Sequence, residues 1–331
     1  MSSKVSRILV ALLCISGPLA FGTDFIAKSR PLANFTPAIV LIVLVTSMFP
    51  LGKAVLAARG TALPGAIWWA TLAILLAILS QCIGLTETAE SGRPSCGQWV
   101  YLSTFASLAA AISVLNARTP GSGAWAILMA ILMVVFLVPW LEGGSLARTD
   151  QGWSRLRLSA PWTIFYGLLV VAGVTNFLAT RYVWAATIFG LGLIAMFVGL
   201  VRTDLPKPYR GMIWEGVAWS FGVTIWVAEF SKDHTVSSSD LERLWIWFRD
   251  HWGVVWGLRT MERFNRTAEA CDWSIRLAWQ GIVRCDGFTP APTSGIPEEA
   301  TSTLIALLRR FADNERLNEV VRGSCPKPAS V

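Results

Sequence analysis

Side chains able to do chemistry are sparse in this chain, and their spacing limits what they can do. There are two histidines, His234 and His251, and six scattered cysteines, Cys14, Cys82, Cys96, Cys271, Cys285 and Cys325. No cysteine pair has the two-residue spacing of a zinc or redox site, and two separate imidazoles do not complete one. No metal site and no cofactor are therefore expected. Cys82 and Cys96 bracket one loop; they suit a disulfide in an oxidising compartment, or two inert thiols. The sequence has no Walker loop, no paired helical histidines and no Gly-x-Ser-x-Gly nucleophile turn. Whether the chain is an enzyme is left open by these motifs.

The remaining candidates are ionisable or amide groups beside apolar runs. Glu215 and Glu229 lie near the two ends of a tryptophan-rich segment. On one helix they stand about 21 Å apart, too far to act as a paired acid and base. His251, Arg259, Glu262, Arg263 and Arg266 lie on or near the apolar side of a C-terminal helix. As a binding group, the three arginines would hold a phosphate or a lipid headgroup. As a structural group, they form a salt-bridged helix end in water, with Glu262 and Arg266 as an i,i+4 pair. In the first case Glu215, His251 and Arg259 are the catalytic candidates, because Trp, Glu, His and Arg gather at one membrane depth. Asn176, inside an apolar run, bonds across helices or contacts a ligand, and Arg181 with Tyr182 closes a helical hairpin.

Those residues need elements to position them, and composition says which kind. Hydrophobic residues make up 54% of the 331 and charged residues 15%, whereas soluble proteins are about a quarter charged. The net charge of +7 does not indicate nucleic acid. Residues 1–230 hold fifteen Lys or Arg against eight Asp or Glu, and residues 231–331 hold thirteen of each. The excess flanks apolar runs, as topology signals do, and forms no basic patch on a soluble face.

A helix crossing the hydrocarbon core needs about 20 mostly apolar residues. Eight segments qualify or nearly so: 7–22, 37–56, 65–85, 98–115, 124–141, 161–180, 182–201 and 212–230. The first also fits a signal sequence, but no small-x-small cleavage site follows, and it is read as an uncleaved span. The last carries Trp214, Trp219 and Trp226 and either spans or lies in the interface. Transport coupled to ions is disfavoured, since no ionisable group stands near the middle of the first seven segments.

Counting Lys and Arg in short loops does not fix orientation cleanly. With the N-terminus inside, inside loops hold Lys4, Arg7, Lys53, Arg59, Arg118 and Arg181. Outside loops would hold Lys28, Arg30, Arg93, Arg148, Arg155, Arg157, Arg202, Lys207 and Arg210, which argues against that choice. The basic start, the Cys82 to Cys96 loop and the unpaired C-terminal cysteines argue for it. Both termini inside is the orientation expected.

From Asp240, a plausible N-cap, the pattern turns amphipathic to about Cys271. Leu241, Leu244, Trp245, Phe248, Trp252, Val255 and Trp256 fall on one face, and Glu242, Arg249, Asp250 and Thr260 on the other. Ile275, Leu277 and Trp279 alternate as in a short half-buried strand. Pro297, Glu298 and Glu299 open a further helix carrying Leu304, Leu308 and Phe311. The expected protein is thus an all-α, multi-pass membrane protein of a cell or inner membrane. It has a polytopic bundle of seven or eight spans in 1–230 and a small, mainly helical, water-facing domain in 231–331. Its expected partners are the lipid bilayer and a protein docked through the helix beginning at Asp240, with no nucleic acid. That makes it a non-enzymatic scaffold or complex subunit. The alternative is an interfacial lipid-handling enzyme or carrier.

Overall fold

The computed structural model describes residues 35–86, 95–115, 160–201, 207–231, 239–284 and 296–322, with six further positions between 127 and 138. Among the described residues the chain is almost entirely helical. The elements are α1 (Phe35–Ala57), α2 (Pro64–Thr86), α3 (Ser95–Leu115), α4 (Ala160–Leu178), α5 (Val183–Val201) and α6 (Lys207–Phe230). They continue as α7 (Asp240–Ala270), β1 (Ile275–Ala278), β2 (Gly281–Arg284), α8 (Glu298–Leu308) and α9 (Asn314–Arg322). Helices α1 to α6 fall on the segments expected at 37–56, 65–85, 98–115, 161–180, 182–201 and 212–230. The segment expected at 7–22 lies outside the described residues. Of the one at 124–141, Ile127, Ile131, Val134, Val135, Leu137 and Val138 are described, and all are helical.

Among the described residues three helices are long and apolar enough to cross a membrane: Thr36–Ala57, Pro64–Leu85 and Val183–Val201. Trp99–Leu115 and Thr163–Leu178 are shorter apolar helices. Large apolar side chains such as Phe49, Trp68, Ile164 and Trp184 point outwards and are at least 65% exposed. Small hydroxyl residues point inwards. Ser103 donates to the Ala73 carbonyl at 2.7 Å, joining α3 to α2, and Tyr166 donates to the Leu193 carbonyl at 3.0 Å, joining α4 to α5. Gly222 lets α6 approach α1 so closely that a Cβ there would stand 2.9 Å from Val43. Such hydroxyl bonds and close approaches join the helices around a core that also buries Tyr101, Phe105 and Leu193.

The C-terminal elements sit on one end of this bundle. The Ala62 N–H donates to the Phe311 carbonyl and the Asp313 N–H to the Gly60 carbonyl, both at 2.8 Å, tying the α1–α2 loop to the segment between α8 and α9. Trp256 donates from Nε1 to the carbonyl of Leu115, the last residue of α3, at 2.8 Å. Trp279 donates to the Ala179 carbonyl at 2.7 Å in the α4–α5 turn. Helices α3 and α4 both end at this capped end, and the chain joins them between Leu115 and Ala160. The helical positions from Ile127 to Val138 lie on that stretch, and Leu137 packs on the bundle core.

The core of the cap is continuous with the bundle end: Trp245, Phe248, Trp252, Leu304, Leu308 and Phe311 share one apolar cluster with Leu63, Ala66 and Val114. Helix α7 is capped by Ser239, one residue before the expected Asp240; its hydroxyl accepts from the Glu242 N–H. Strands β1 and β2 form an antiparallel hairpin, with Ile275 opposite Arg284. Asn265 extends it by bonding both the N–H and the carbonyl of Leu277, at 2.8 and 2.9 Å.

The face of α7 read from sequence is only half right. Leu241, Leu244, Trp245, Phe248, Trp252 and Trp256 are buried, but Val255 is 37% exposed, and Arg249, Asp250 and Thr260 are buried. For Val255 and Thr260 the cause is Gly253, at φ 76° and ψ −165°, which breaks the helix and changes the facing of its second half, whereas Arg249 and Asp250 precede the break and are covered by Trp279 and Arg181.

Candidate functional site

The site is built where α7 meets the α4–α5 turn. Thr180 shapes that turn by donating to the Phe177 carbonyl and accepting from the Tyr182 N–H. This sets Arg181 and Tyr182 against Asp250 of α7. Asp250 is fully buried. Its Oδ1 accepts from Nε and Nη2 of Arg249 at 2.9 and 2.8 Å, and its Oδ2 stands 3.3 Å from Nε of Arg181. The last donor of Arg249, Nη1, bonds the Trp279 carbonyl at 2.7 Å, and its guanidinium lies 5.6 Å from that indole. Arg181 donates from Nη2 to the Tyr182 hydroxyl at 3.0 Å. One buried carboxylate thus stands between two guanidiniums, each further held by a neighbour. A buried charge persists only with such pairing.

The break in α7 is held from α4. At Gly253 the helix cannot make its own bonds, and Asn176 replaces two of them. The side-chain amide donates to the Trp252 carbonyl at 3.2 Å and accepts from the Val255 N–H at 3.0 Å. A Cβ at residue 253 would stand 2.4 Å from Asn176. A positive φ there also disfavours any side chain. Asn176 is 2% exposed, and its role here is to join the cap to the bundle.

Beneath this junction lies a cavity of about 580 Å³ to which all six helices α1 to α6 contribute. Its apolar walls include many small residues, among them Ala66, Ala73, Ala110, Gly173 and Ala185, beside larger ones such as Ile74, Phe177 and Phe221. The capped end is polar: Arg181, Tyr182, Glu229, Asp250, His251 and Arg316 line it, with Trp247 beside them. Glu229 is paired with Lys53 at 3.4 Å and Arg316 with Glu319 at 2.7 Å. His251 Nδ1 bonds the Trp247 carbonyl at 2.7 Å, and its ring meets Tyr182 edge-on. Five buried side-chain atoms among the described residues have no hydrogen-bond partner within the protein. Four belong to residues lining this cavity: Arg181 Nε, Thr224 Oγ1, Asp250 Oδ2 and Arg316 Nε. Arg181 Nε and Asp250 Oδ2 face one another at 3.3 Å, which leaves Thr224 Oγ1 and Arg316 Nε as the buried polar atoms at the cavity with no group of the protein opposite them.

The structure brings together Asn176, Arg181 and His251 of the residues singled out from sequence and separates the others. Glu215 stands fifteen residues before the end of α6 at the cap, so it lies about 22 Å along the helix from that end. Arg259 is exposed beyond the Gly253 break, its guanidinium 5.0 Å from the Trp256 ring. Glu262 and Arg266 are ion-paired on the surface and Arg263 is exposed. Arginines 259, 263 and 266 therefore stand outside the cavity. Among the described residues no group of three or more His, Cys, Asp or Glu is placed to hold a metal ion. Cys82 is an exposed free thiol. Arg249 and Asp250 were missed as site residues, although an adjacent arginine and aspartate within a tryptophan-rich helix was a signal that could have found them.

Comparison with known proteins places the chain beside none of them: no family model, no curated protein and no solved structure matches it.

Proposed function

We propose that this chain is a multi-pass protein of a cell or inner membrane, with seven or eight spans, that binds an amphiphile in its bundle as a lipid-handling carrier or enzyme. The observation that carries this reading is the cavity. Its size falls in the range of about 300–1,000 Å³ typical of small-molecule sites. Apolar walls suit a hydrocarbon chain, and the charged end with its orphaned polar atoms suits a headgroup. The outward-facing Phe49, Trp68, Ile164 and Trp184 support a lipid-facing exterior. The helical positions between Ile127 and Val138 support a span over 124–141. The cap then acts as a fixed lid whose junction residues form the polar end of the site.

The test is saturable binding of hexadecyl-chain probes to the purified protein in detergent, followed by quenching of tryptophan fluorescence. Wild type is expected to bind, and Ala110→Phe, which places a ring in the cavity, to lose most binding while eluting as wild type on size exclusion. Absence of saturable binding to wild type would overturn the reading.

A second reading, a non-enzymatic scaffold or complex subunit, keeps one observation in its favour. The apolar face of α7 expected to dock a partner is covered by the chain's own elements, but Val255 and Leu258 remain exposed beside Trp256. On this reading the pair Val255→Asp and Leu258→Asp removes a stoichiometric partner from detergent-extracted complexes, and unchanged co-purification rejects it.

A further inference from the structure

We infer that the ligand of the bundle cavity carries a single negative charge on its head, as a carboxylate or a phosphate ester, and that Arg181 is the residue that receives it. This rests on the reading of the cavity as an amphiphile site. Among the described residues, the ionisable groups lining the cavity pair off with their ion-pair partners, with a single exception. Arg249 and Asp250 neutralise one another, with both the Nε and Nη2 of the guanidinium on Oδ1. Lys53 balances Glu229, and Glu319 balances Arg316. Arg181 is the cation left over. It leans on Oδ2 of the same carboxylate at 3.3 Å, but that carboxylate is already matched by Arg249. Two guanidiniums for one carboxylate leave one positive charge at the end of an apolar cavity, where low dielectric makes it costly to leave uncompensated.

The unsatisfied atoms agree in kind. Arg316 Nε is a donor and the Thr224 hydroxyl can donate as well as accept, while Arg181 Nε faces the carboxylate of Asp250. The one pure acceptor, Asp250 Oδ2, already faces Arg181. An ammonium head would meet the surplus cation and find both carboxylates taken. A neutral alcohol would satisfy one or two of these atoms and leave the charge unanswered. An anionic head answers both the charge and the donors, with its chain lying along Ala110, Ala73 and Gly173.

The experiment compares four probes of equal chain length on the purified full chain at pH 8: palmitate, hexadecyl methyl phosphate (a diester with one charge), hexadecanol and hexadecylamine. The two anions are expected to bind at least about tenfold more tightly than hexadecanol, with the amine weakest, as a charge-assisted contact in a dry site requires. Whichever anion binds more tightly identifies the source as a free fatty acid or a phosphate-bearing lipid. Arg181→Gln should bring the anions down to hexadecanol, while Arg181→Lys should retain most of the difference. If Arg181→Gln fails to fold, the order of the four probes on wild type decides alone. Equal binding of hexadecanol and the anions, or preference for the amine, overturns the inference while leaving the amphiphile reading intact. No binding of any probe overturns both.

Discussion

Asp250 shows how much of this molecule depends on single polar groups. With Asp250 removed, the Arg249 and Arg181 guanidiniums lose their shared counter-charge at a largely buried junction. Breaking a buried pair in this way costs about 3–5 kcal/mol, whereas an exposed pair contributes about 1 kcal/mol or less. Asp250→Ala is therefore expected to lower the thermal midpoint in detergent sharply, and Glu262→Ala, which breaks the exposed pair with Arg266, to leave it nearly unchanged. Similar midpoints for the two would show that Asp250 is not held as described. Trp279 is a quieter anchor of the same junction, receiving Arg249 on its carbonyl and donating its indole N–H to Ala179.

Among the elements, α7 is the one whose form depends most on another. Gly253 and Asn176 act as one unit: the break needs the amide, and the amide has no comparable use without the break. Asn176→Ala orphans a buried carbonyl and a largely buried N–H, at about 1–3 kcal/mol for each group left unsatisfied. Gly253→Ala places a side chain at positive φ against the same amide, with a backbone penalty of about 1–2 kcal/mol before any clash. Because the two changes act at one contact, the double variant should be less unstable than the two single losses added together. Strict additivity in thermal unfolding of the four proteins would mean that they act separately. The α4–α5 turn belongs to this unit, since Thr180 shapes it and Arg181 leaves it towards Asp250.

At the scale of the whole molecule, the way the cap gathers the helix ends bears on sidedness. The α1–α2 loop, the end of α3 and the α4–α5 turn all meet the cap, so the other ends of these helices lie at the opposite end of the bundle. On the proposed spans that end holds Lys28, Arg30, Arg93, Arg148, Arg155, Arg157, Arg202, Lys207 and Arg210, against Lys4, Arg7, Lys53, Arg59, Arg118 and Arg181 at the capped end. From that balance on the proposed spans we predict that the uncapped end faces the cytoplasm. One support for the opposite orientation, a disulfide at Cys82, is removed by its free thiol. A variant keeping only Cys271, which is exposed on the cap, is expected to react with a membrane-impermeant maleimide in intact cells. Reaction only after permeabilisation would return the cap to the inside.

Sequence alone determined the helical class, the positions of α1 to α6, the short strand at Ile275 and the helix opening at Pro297. Each of these rests on local composition and period, which the chain carries wherever it folds. It also singled out Asn176, Arg181 and His251, because polar groups beside apolar runs are few. Only tertiary structure decided that Arg249 and Asp250 are buried, that α7 breaks at Gly253 and that a cavity lies beneath the cap. A straight 100° period places Arg249 and Asp250 opposite the apolar face and so in water. What keeps them from water is Arg181, sixty-nine residues earlier than Asp250, and Trp279, thirty residues later than Arg249. The cavity is likewise a property of no segment: it exists because side chains on six helices face one another at one depth, and that is settled only when the helices pack.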